Sequence, residues 1–414
     1  MHIGIISPPV SGHINPFAAL GREVQRRGHR VTWIHMEDLD SRIRAEGLDF
    51  YPVGHRDHPR GSLPEFLARL GPLQGLAALR FTVNAIRQTT EMLCRDLPDA
   101  VRATRIDALL VDQTEPAGGS VADYLGIPFV TVCNALALNR DPYLPPPFTP
   151  WKFHRSWWAR IRNSAGYAIS DGILSPVLTV LNRYRKAWRL SVLKTPEDSC
   201  SNLAQISQQP PVLDFPRQYL PANFHYVGPL RDTSPRKFDF PWEKLDGRPL
   251  IYASLGTLQT GKDQIFRCFA EACAGIPVQL VIAHGGGLDS ATVNGFPGNP
   301  LVVNYAPQTA VIERCALTLT HAGLNTVLDS MTYGVPVIAV PITYDQPAIA
   351  ARLEFAKAGE VIPLRNLTPA ILKARINHIL NSGACRKGAA LVAASIRESG
   401  GVRQAASLAE NAFL

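Results

Sequence analysis

Two groups of residues in this 414-residue sequence have types and spacings that chemistry can use. The denser group runs from Thr320 to Gln346, THAGLNTVLDSMTYGVPVIAVPITYDQ. An apolar, β-branched run ends at Thr320, His321 and Gly323 fall in a turn, and a helical pattern opens near Asn325 and stops at Gly334. A helix leaves its first N–H groups unpaired and carries partial positive charge there, so this turn suits a diphosphate. His321, Asn325 and Thr326 add side-chain donors. Asp329, four residues after Asn325, shares its helix face and is placed to accept from ribose hydroxyls. The next strand pattern, Val337 to Pro341, delivers Asp345 and Gln346, an acid beside an amide that can fork hydrogen bonds to adjacent hydroxyls of a hexose. Upstream, Tyr305, Pro307 and Gln308 follow another strand pattern, and Tyr305 offers a flat face to a pyrimidine.

The second group is sparse. His13 lies in SGHINP, in the loop expected after the first strand, and Asp112 ends the run DALLVD. An alcohol is a poor nucleophile until a base removes its proton, and a histidine oriented by a carboxylate is a common base. In a 3-2-1-4-5 strand order the first and fourth strands are neighbours, so His13 and Asp112 would emerge at one sheet edge as a dyad, with Asp112 orienting the imidazole.

The elements needed to hold these groups can be read along the chain. His2 to Ser7 reads as a strand, Pro16 as the first residue of a helix that ends before Gly28, and Arg30 to His35 as the next strand, which together make one βαβ unit. Continuous apolar runs at Phe50–Val53, Ala108–Val111 and Phe129–Val132 extend a parallel sheet covered on both faces. Prolines, charges and single aromatics dominate residues 208–249, with little periodicity. The alternation then resumes with runs at Leu250–Ser254, Val278–Ala283, Leu301–Val303, Leu317–Thr320 and Val337–Val340. The expectation is an α/β protein of two Rossmann-like, doubly wound domains facing a central cleft: residues 1–220, a linker 221–248, a second domain 249–395, and a terminal helix 396–414 packing back on the first domain.

A hydrophobic share of 46% against 18% charged residues fits a folded chain and excludes disordered and fibrous classes. No run reads as an unbroken spanning segment and no leader pattern precedes Ile3, which points to the cytoplasm. Seven scattered cysteines form no CxxC pair and no disulfide-dense pattern, and read as reduced core or surface thiols. The net charge of +8 favours an acidic partner, either a phosphorylated small molecule or anionic lipid; nucleic acid is not indicated, because no recognition motif accompanies the charge. Asp38-Leu39-Asp40 imitates a metal-binding DxD motif but sits far from the donor-type segment and reads as a surface loop.

A turn followed by a helix, or an Asp-Gln loop, is common in α/β proteins; the joint spacing is not. From Tyr305 to Gln346 the sequence resembles the donor signature of family 1 glycosyltransferases: aromatic-x-Pro-Gln, His-x-Gly-x-Asn, Leu-acid-Ser, Gly-Val-Pro and acid-Gln. Tyr305 stands where many members carry Trp, and Asp329 where many carry Glu. The resemblance implies the GT-B fold, a uridine diphosphate sugar as co-substrate with Gln346 favouring UDP-glucose, and donor contacts from Tyr305, Gln308, His321, Gly323, Asn325, Thr326, Asp329, Asp345 and Gln346, with Ser254 and Thr257 of ASLGTLQ. It also implies His13 as catalytic base with Asp112 behind it, inversion at the anomeric carbon, and no metal or other cofactor.

Segments outside the signature, among them MLCRDLP, VDQTEPAG, LAQISQ and LDFPR, resemble bacterial members that glucosylate carotenoids. They imply a lipophilic hydroxylated acceptor such as zeaxanthin. Two basic aromatic clusters agree with a membrane-borne acceptor: Trp151, Lys152, Arg155, Trp157, Trp158, Arg160 and Arg162, then Arg183, Tyr184, Arg185, Lys186, Trp188 and Arg189. The same residues also suit a solvated helix with one packed face. Rival readings are a transferase for a macrolide or flavonoid, a sugar-nucleotide epimerase, and a non-catalytic auxiliary protein of the same fold.

Overall fold

The structure, a computed structural model, describes residues 1–414 apart from 72, 74, 233–238 and 257–261. Among the described residues, thirteen strands form two all-parallel sheets. The first contains β1 (His2–Ile6), β2 (Arg30–Met36), β3 (Asp49–Val53), β4 (Ala108–Asp112), β5 (Phe129–Cys133), β6 (Gln205–Ser207) and β7 (Phe224–Tyr226), in the order 3-2-1-4-5-6-7. The second contains β8 (Leu250–Ser254), β9 (Gln279–Ala283), β10 (Leu301–Val303), β11 (Cys315–Thr320), β12 (Val337–Ala339) and β13 (Gly359–Val361), in the order 10-9-8-11-12-13. Each sheet therefore reverses direction once, between β1 and β4 in the first and between β8 and β11 in the second. Ligands of open α/β sheets bind outside the carboxyl ends of the strands at these two points.

The first sheet is covered on both faces. Ile3, Ile5, Val31, Trp33 and Leu110 pack with Phe17 and Leu20 of helix α1 (Ser11–Arg26) and with Val402, Ala405, Ala406 and Ala409 of the helix Gly401–Phe413. Ile6, Ile34, Leu109 and Val111 pack on the other face with Met92, Leu93 and Leu97 of the helix Gly75–Thr104. The final helix thus crosses back to complete the core of the first sheet, and Arg27, just past the end of α1, reaches its Glu410 at 2.7 Å. β7 falls inside the segment read as linker. Its three residues are too few for a periodic signal, but pairing with β6 extends the first sheet to Tyr226.

Three other expectations are corrected. The helix α1 starts at Ser11, five residues before Pro16, because a proline is tolerated inside a helix when the carbonyl it leaves unpaired finds another donor. Asp38-Leu39-Asp40 is a pair of short helical turns rather than a loop, and the Asp38 carboxylate accepts from the N–H groups of Gly61 (2.6 Å) and Leu63 (2.7 Å). The helix Trp157–Ala187, with 31 residues, is long and apolar enough by length and composition to cross a membrane. It lies along the helix Gly75–Thr104, buries Asn163, and its Asp171 pairs with Arg140.

Where the halves meet, the seam carries charge as well as apolar contact. Asp214, between β6 and β7, accepts from Arg217 (2.7 Å) and from Arg352 of the helix Gln346–Phe355 (2.7 Å). Burial opposes its charge, and the two guanidinium groups override burial and hold the carboxyl well below the usual carboxylate range. Phe153 and Phe215 stack at 5.7 Å, and Phe355 meets both edge-on.

Candidate active site

At the reversal point of the first sheet, the Nδ1 atom of His13 lies 2.7 Å from Oδ2 of Asp112. Asp112 is fully buried and its acceptor positions are filled: Oδ2 also takes Asn134 Nδ2 (2.9 Å), and Oδ1 takes the Thr114 N–H (2.9 Å) and hydroxyl (2.6 Å). With only carboxylate oxygen before it, Nδ1 carries the proton and Nε2 presents a lone pair. Burial lowers the affinity of the His13 ring for a second proton, but Asp112 outweighs burial and raises its pKa. Burial likewise opposes the charge on Asp112, and His13 and Thr114 hold that carboxyl below its ordinary value. His13 sits in the first turn of α1 rather than in a loop.

At the reversal point of the second sheet, β11 ends at Thr320 and the helix Leu324–Thr332 begins four residues later. Between them Ala322 holds a left-handed backbone conformation (φ 67°), which a residue with a Cβ adopts only at some cost in strain. A Cβ on Gly323 would stand 2.6 Å from Nε2 of His321, so this position takes only glycine while the ring keeps its place. His321 is nearly buried, and burial pushes its pKa down to about 4, so it is a neutral hydrogen-bonding group at ordinary pH. Ser254 ends β8 beside it, and Thr257 lies outside the described residues.

Deeper along the helix Leu324–Thr332, Asp329 is buried and already engaged: Arg231 Nε donates to Oδ1 (2.6 Å) and Gln308 Nε2 to Oδ2 (2.6 Å). Each oxygen keeps one acceptor direction beyond these two bonds. The Thr326 hydroxyl reaches Gln308 Oε1 at 3.4 Å. Tyr305 is 62% exposed, with its hydroxyl tied to the Gly285 carbonyl (3.1 Å). Gln346 differs from expectation. Its Oε1 accepts from the Ile342 and Thr343 N–H groups, both at 2.9 Å, so it braces the loop that carries Asp345 and leaves only its NH₂ end for a sugar.

The two groups approach each other across the cleft. Pro16 has no N–H to give the Gly12 carbonyl one helical turn earlier, and that carbonyl accepts from Nδ2 of Asn325 at 2.7 Å. The residue before the His13 imidazole is therefore held by the first turn of the donor-type helix. Asp345 adds a second link, since its carboxylate acts electrostatically on the His13 ring and raises that ring's pKa. Gln208 reaches both the Asn134 carbonyl (2.7 Å) and Asn325 Oδ1 (3.2 Å).

Asn134, Thr114, Gln208 and Arg231 join the site without belonging to either group of motif residues. Asn134 directly follows β5, the neighbour of β4, so the sheet-edge rule that pointed to Asp112 also pointed there. Arg231 stands alone in a segment without pattern and gave no signal.

Residues 184–398 match the model of the UDP-glucoronosyl and UDP-glucosyl transferases, and residues 11–105 that of the glycosyltransferase family 28 N-terminal domain. The chain is 36% identical to zeaxanthin glucosyltransferase of Pantoea ananas, over 99% of this chain and 95% of that protein. It is 34% identical to zeaxanthin glucosyltransferase of Pseudescherichia vulneris, over 100% and 98%. Among solved structures, the glycosyltransferase of kitacinnamycin superposes with a TM-score of 0.79 over 100% of this chain and 99% of that one, at 20% identity, which speaks to fold alone. With two reversal points facing one cleft and a full-length match to its members, the chain belongs to the UDP-glycosyltransferase family and is a glycosyltransferase of the GT-B fold.

Proposed function

We propose that this enzyme transfers glucose from UDP-glucose to a hydroxyl of a lipophilic acceptor, a hydroxylated carotenoid such as zeaxanthin, with inversion at the anomeric carbon. The observation that carries the reading is the His13–Asp112 contact of 2.7 Å, in electrostatic reach of Asp345 on the other side of the cleft. The acceptor class follows from the two zeaxanthin glucosyltransferases that the chain resembles over its whole length.

In this mechanism His13 Nε2 takes the acceptor proton as the acceptor oxygen bonds to C1 of glucose, from the face opposite the diphosphate. The bond from C1 to the phosphate oxygen breaks and UDP leaves. Asp112 stabilises the imidazolium that forms. The unpaired N–H groups at the start of the helix Leu324–Thr332, with His321, Asn325 and Thr326, meet the charge growing on the diphosphate without needing a metal. Asp329 and Gln308 read the ribose, Tyr305 stacks on the base, and Asp345 with the NH₂ of Gln346 reads glucose hydroxyls. We assign the acceptor to the half built on the first sheet and the donor to the half built on the second.

We further infer that the enzyme works in the cytoplasm and rests on the membrane that holds its acceptor. The helix Trp157–Ala187 supports this: Trp157 (76% exposed), Ile161 (62%) and Ile169 (64%) lie in solvent, with Arg155 and Arg160 near one end and Lys186 and Arg189 near the other. A donor and acceptor panel read by mass spectrometry tests the reaction: a glucosylated carotenoid is expected, and transfer only to flavonoids or macrolides would replace the acceptor assignment. Flotation with anionic vesicles tests the surface. Protein left at the bottom of the gradient would remove the membrane from the account.

A further inference from the structure

Buried polar atoms normally find partners, and leaving one unmet costs about 1–3 kcal/mol. Among the described residues, several that meet none belong to one neighbourhood beside His13. They are Ser7 Oγ, both ring nitrogens of His35, Thr90 Oγ1 and Glu115 Oε2. Ser7, His35 and Thr90 are fully buried, and Glu115 is 4% exposed.

The topology brings these residues together. β1 pairs Ile5 with Trp33 on one side and Ile6 with Val111 on the other, so continuing the register sets Ser7 level with His35 and Asp112. Glu115 lies in the turn that follows β4, its N–H bonded to the Asp112 carbonyl at 2.9 Å, and its Oε1 lies 3.8 Å from His35 Nε2. The Glu115 charge acts on His13, and Thr90 lies one helical turn before Leu93 and Cys94 of the helix Gly75–Thr104, which pack in the cluster that holds Ile6, Ile34 and Val111, the residues preceding Ser7, His35 and Asp112.

A buried structural histidine looks different in this same sheet. At the opposite strand ends, His2 bonds the Thr104 carbonyl (2.9 Å) and the Thr32 hydroxyl (2.8 Å), which satisfies both ring nitrogens. His35 has no such partners and stands at the carboxyl ends of the strands, the edge where this fold binds ligands.

We propose that His35 and Glu115, with Ser7 and Thr90, form a subsite for a second oxygen of the acceptor, on the ring carbon next to the hydroxyl that His13 activates. Glu115 accepts from a hydroxyl. His35, with one N–H and one lone pair, serves a hydroxyl or a ketone, and the Ser7 and Thr90 hydroxyls rotate to either. The preferred ring is a vicinal diol or an α-hydroxyketone, since a ring with a single oxygen leaves these groups unmet. This subsite rests on the acceptor half of the reading above.

The test is calorimetric binding, with UDP present, of 3-hydroxy-β-ionone and its 4-oxo derivative, two rings that differ by one oxygen. The intact enzyme is expected to bind the oxo ring about 10- to 100-fold more tightly, the range for hydrogen bonds to charged or polar groups. His35→Leu, which removes the ring N–H that donates to the ketone, is expected to bring the ratio to within about threefold, and the near-isosteric Thr90→Val to remove part of it. UDP affinity and the thermal transition of each variant report whether it has folded. Equal affinities in the intact enzyme, or a preference left unchanged by His35→Leu in folded protein, would overturn the subsite. Transfer is measured alongside: if glucose reaches neither ring while the binding ratio holds, the glucosyl-transfer reading fails and the subsite stands.

Discussion

The two reversal points of this enzyme have the same topology and opposite construction. In the second sheet, most of the polar groups proposed for the donor, from His321 to Gln346, fall within 26 residues, and Tyr305 and Gln308 shortly precede them. In the first sheet, the groups around His13 come from β1, β2, β4, β5 and a helix, and the His13–Asp112 contact closes a separation of 99 residues. A diphosphate is recognised by backbone N–H groups and a helix terminus, which any sequence supplies once the turn is right. Activation of an alcohol needs particular side chains converging from several strands. The donor side is therefore a contiguous motif, and the acceptor side exists only in the fold.

Substitutions sharpen the comparison. The largest effect is expected from His13→Ala, which should slow transfer about 10³- to 10⁴-fold and leave UDP affinity unchanged by calorimetry; unchanged turnover would remove His13 from the chemistry. At the seam between the halves, Arg352→Ala leaves the buried Asp214 with one guanidinium, that of Arg217, beside the Tyr226 hydroxyl and the Phe215 N–H. A loss of about 3 kcal/mol in denaturant unfolding is expected, the low end for breaking a buried pair because one partner remains. Because Asp214 titrates below its unfolded value of about 3.9, the stability it contributes is complete above that pH and is lost as pH falls below it. The intact protein should lose more stability than Arg352→Ala on acidification. A common acid midpoint would contradict the assignment.

Asp112→Asn should lower transfer about 100-fold or more. It should also shift the pH profile in a direction fixed by the structure. Burial lowers and Asp112 raises the His13 pKa, so without that carboxylate the pKa falls, and the acidic limb of kcat/KM moves to lower pH. A limb that stays in place would assign it to another group. The smallest effect is expected on the donor side. Gln346→Ala should reduce kcat/KM for UDP-glucose about tenfold and UDP affinity by less, with any equal loss of both marking Gln346 as a loop brace alone.

Sequence is most informative where chemistry and periodicity coincide. The β-branched run ending at Thr320, the glycine demanded beside His321 and the helix stop at Gly334 were legible because they follow one another. Pro16 misled, since it reads as a first helical residue, whereas in the fold it frees the Gly12 carbonyl for Asn325 of the other half. That contact depends on two residues more than 300 positions apart, and no local pattern records it. β7 was missed for the opposite reason, as three residues in a proline-rich segment carry too little periodicity to register. Arg231 and the unmet polar atoms of His35 and Glu115 have no sequence signature; only burial and neighbours distinguish them.

The central claim is that His13, poised by Asp112, activates an acceptor for a single displacement at the sugar carried by the facing helix. The most direct test is the anomeric configuration of the product formed from α-linked UDP-glucose, read by proton NMR coupling. A β-glucoside is predicted. An α-glucoside would require retention, which one base acting on the acceptor cannot give, and would contradict the account.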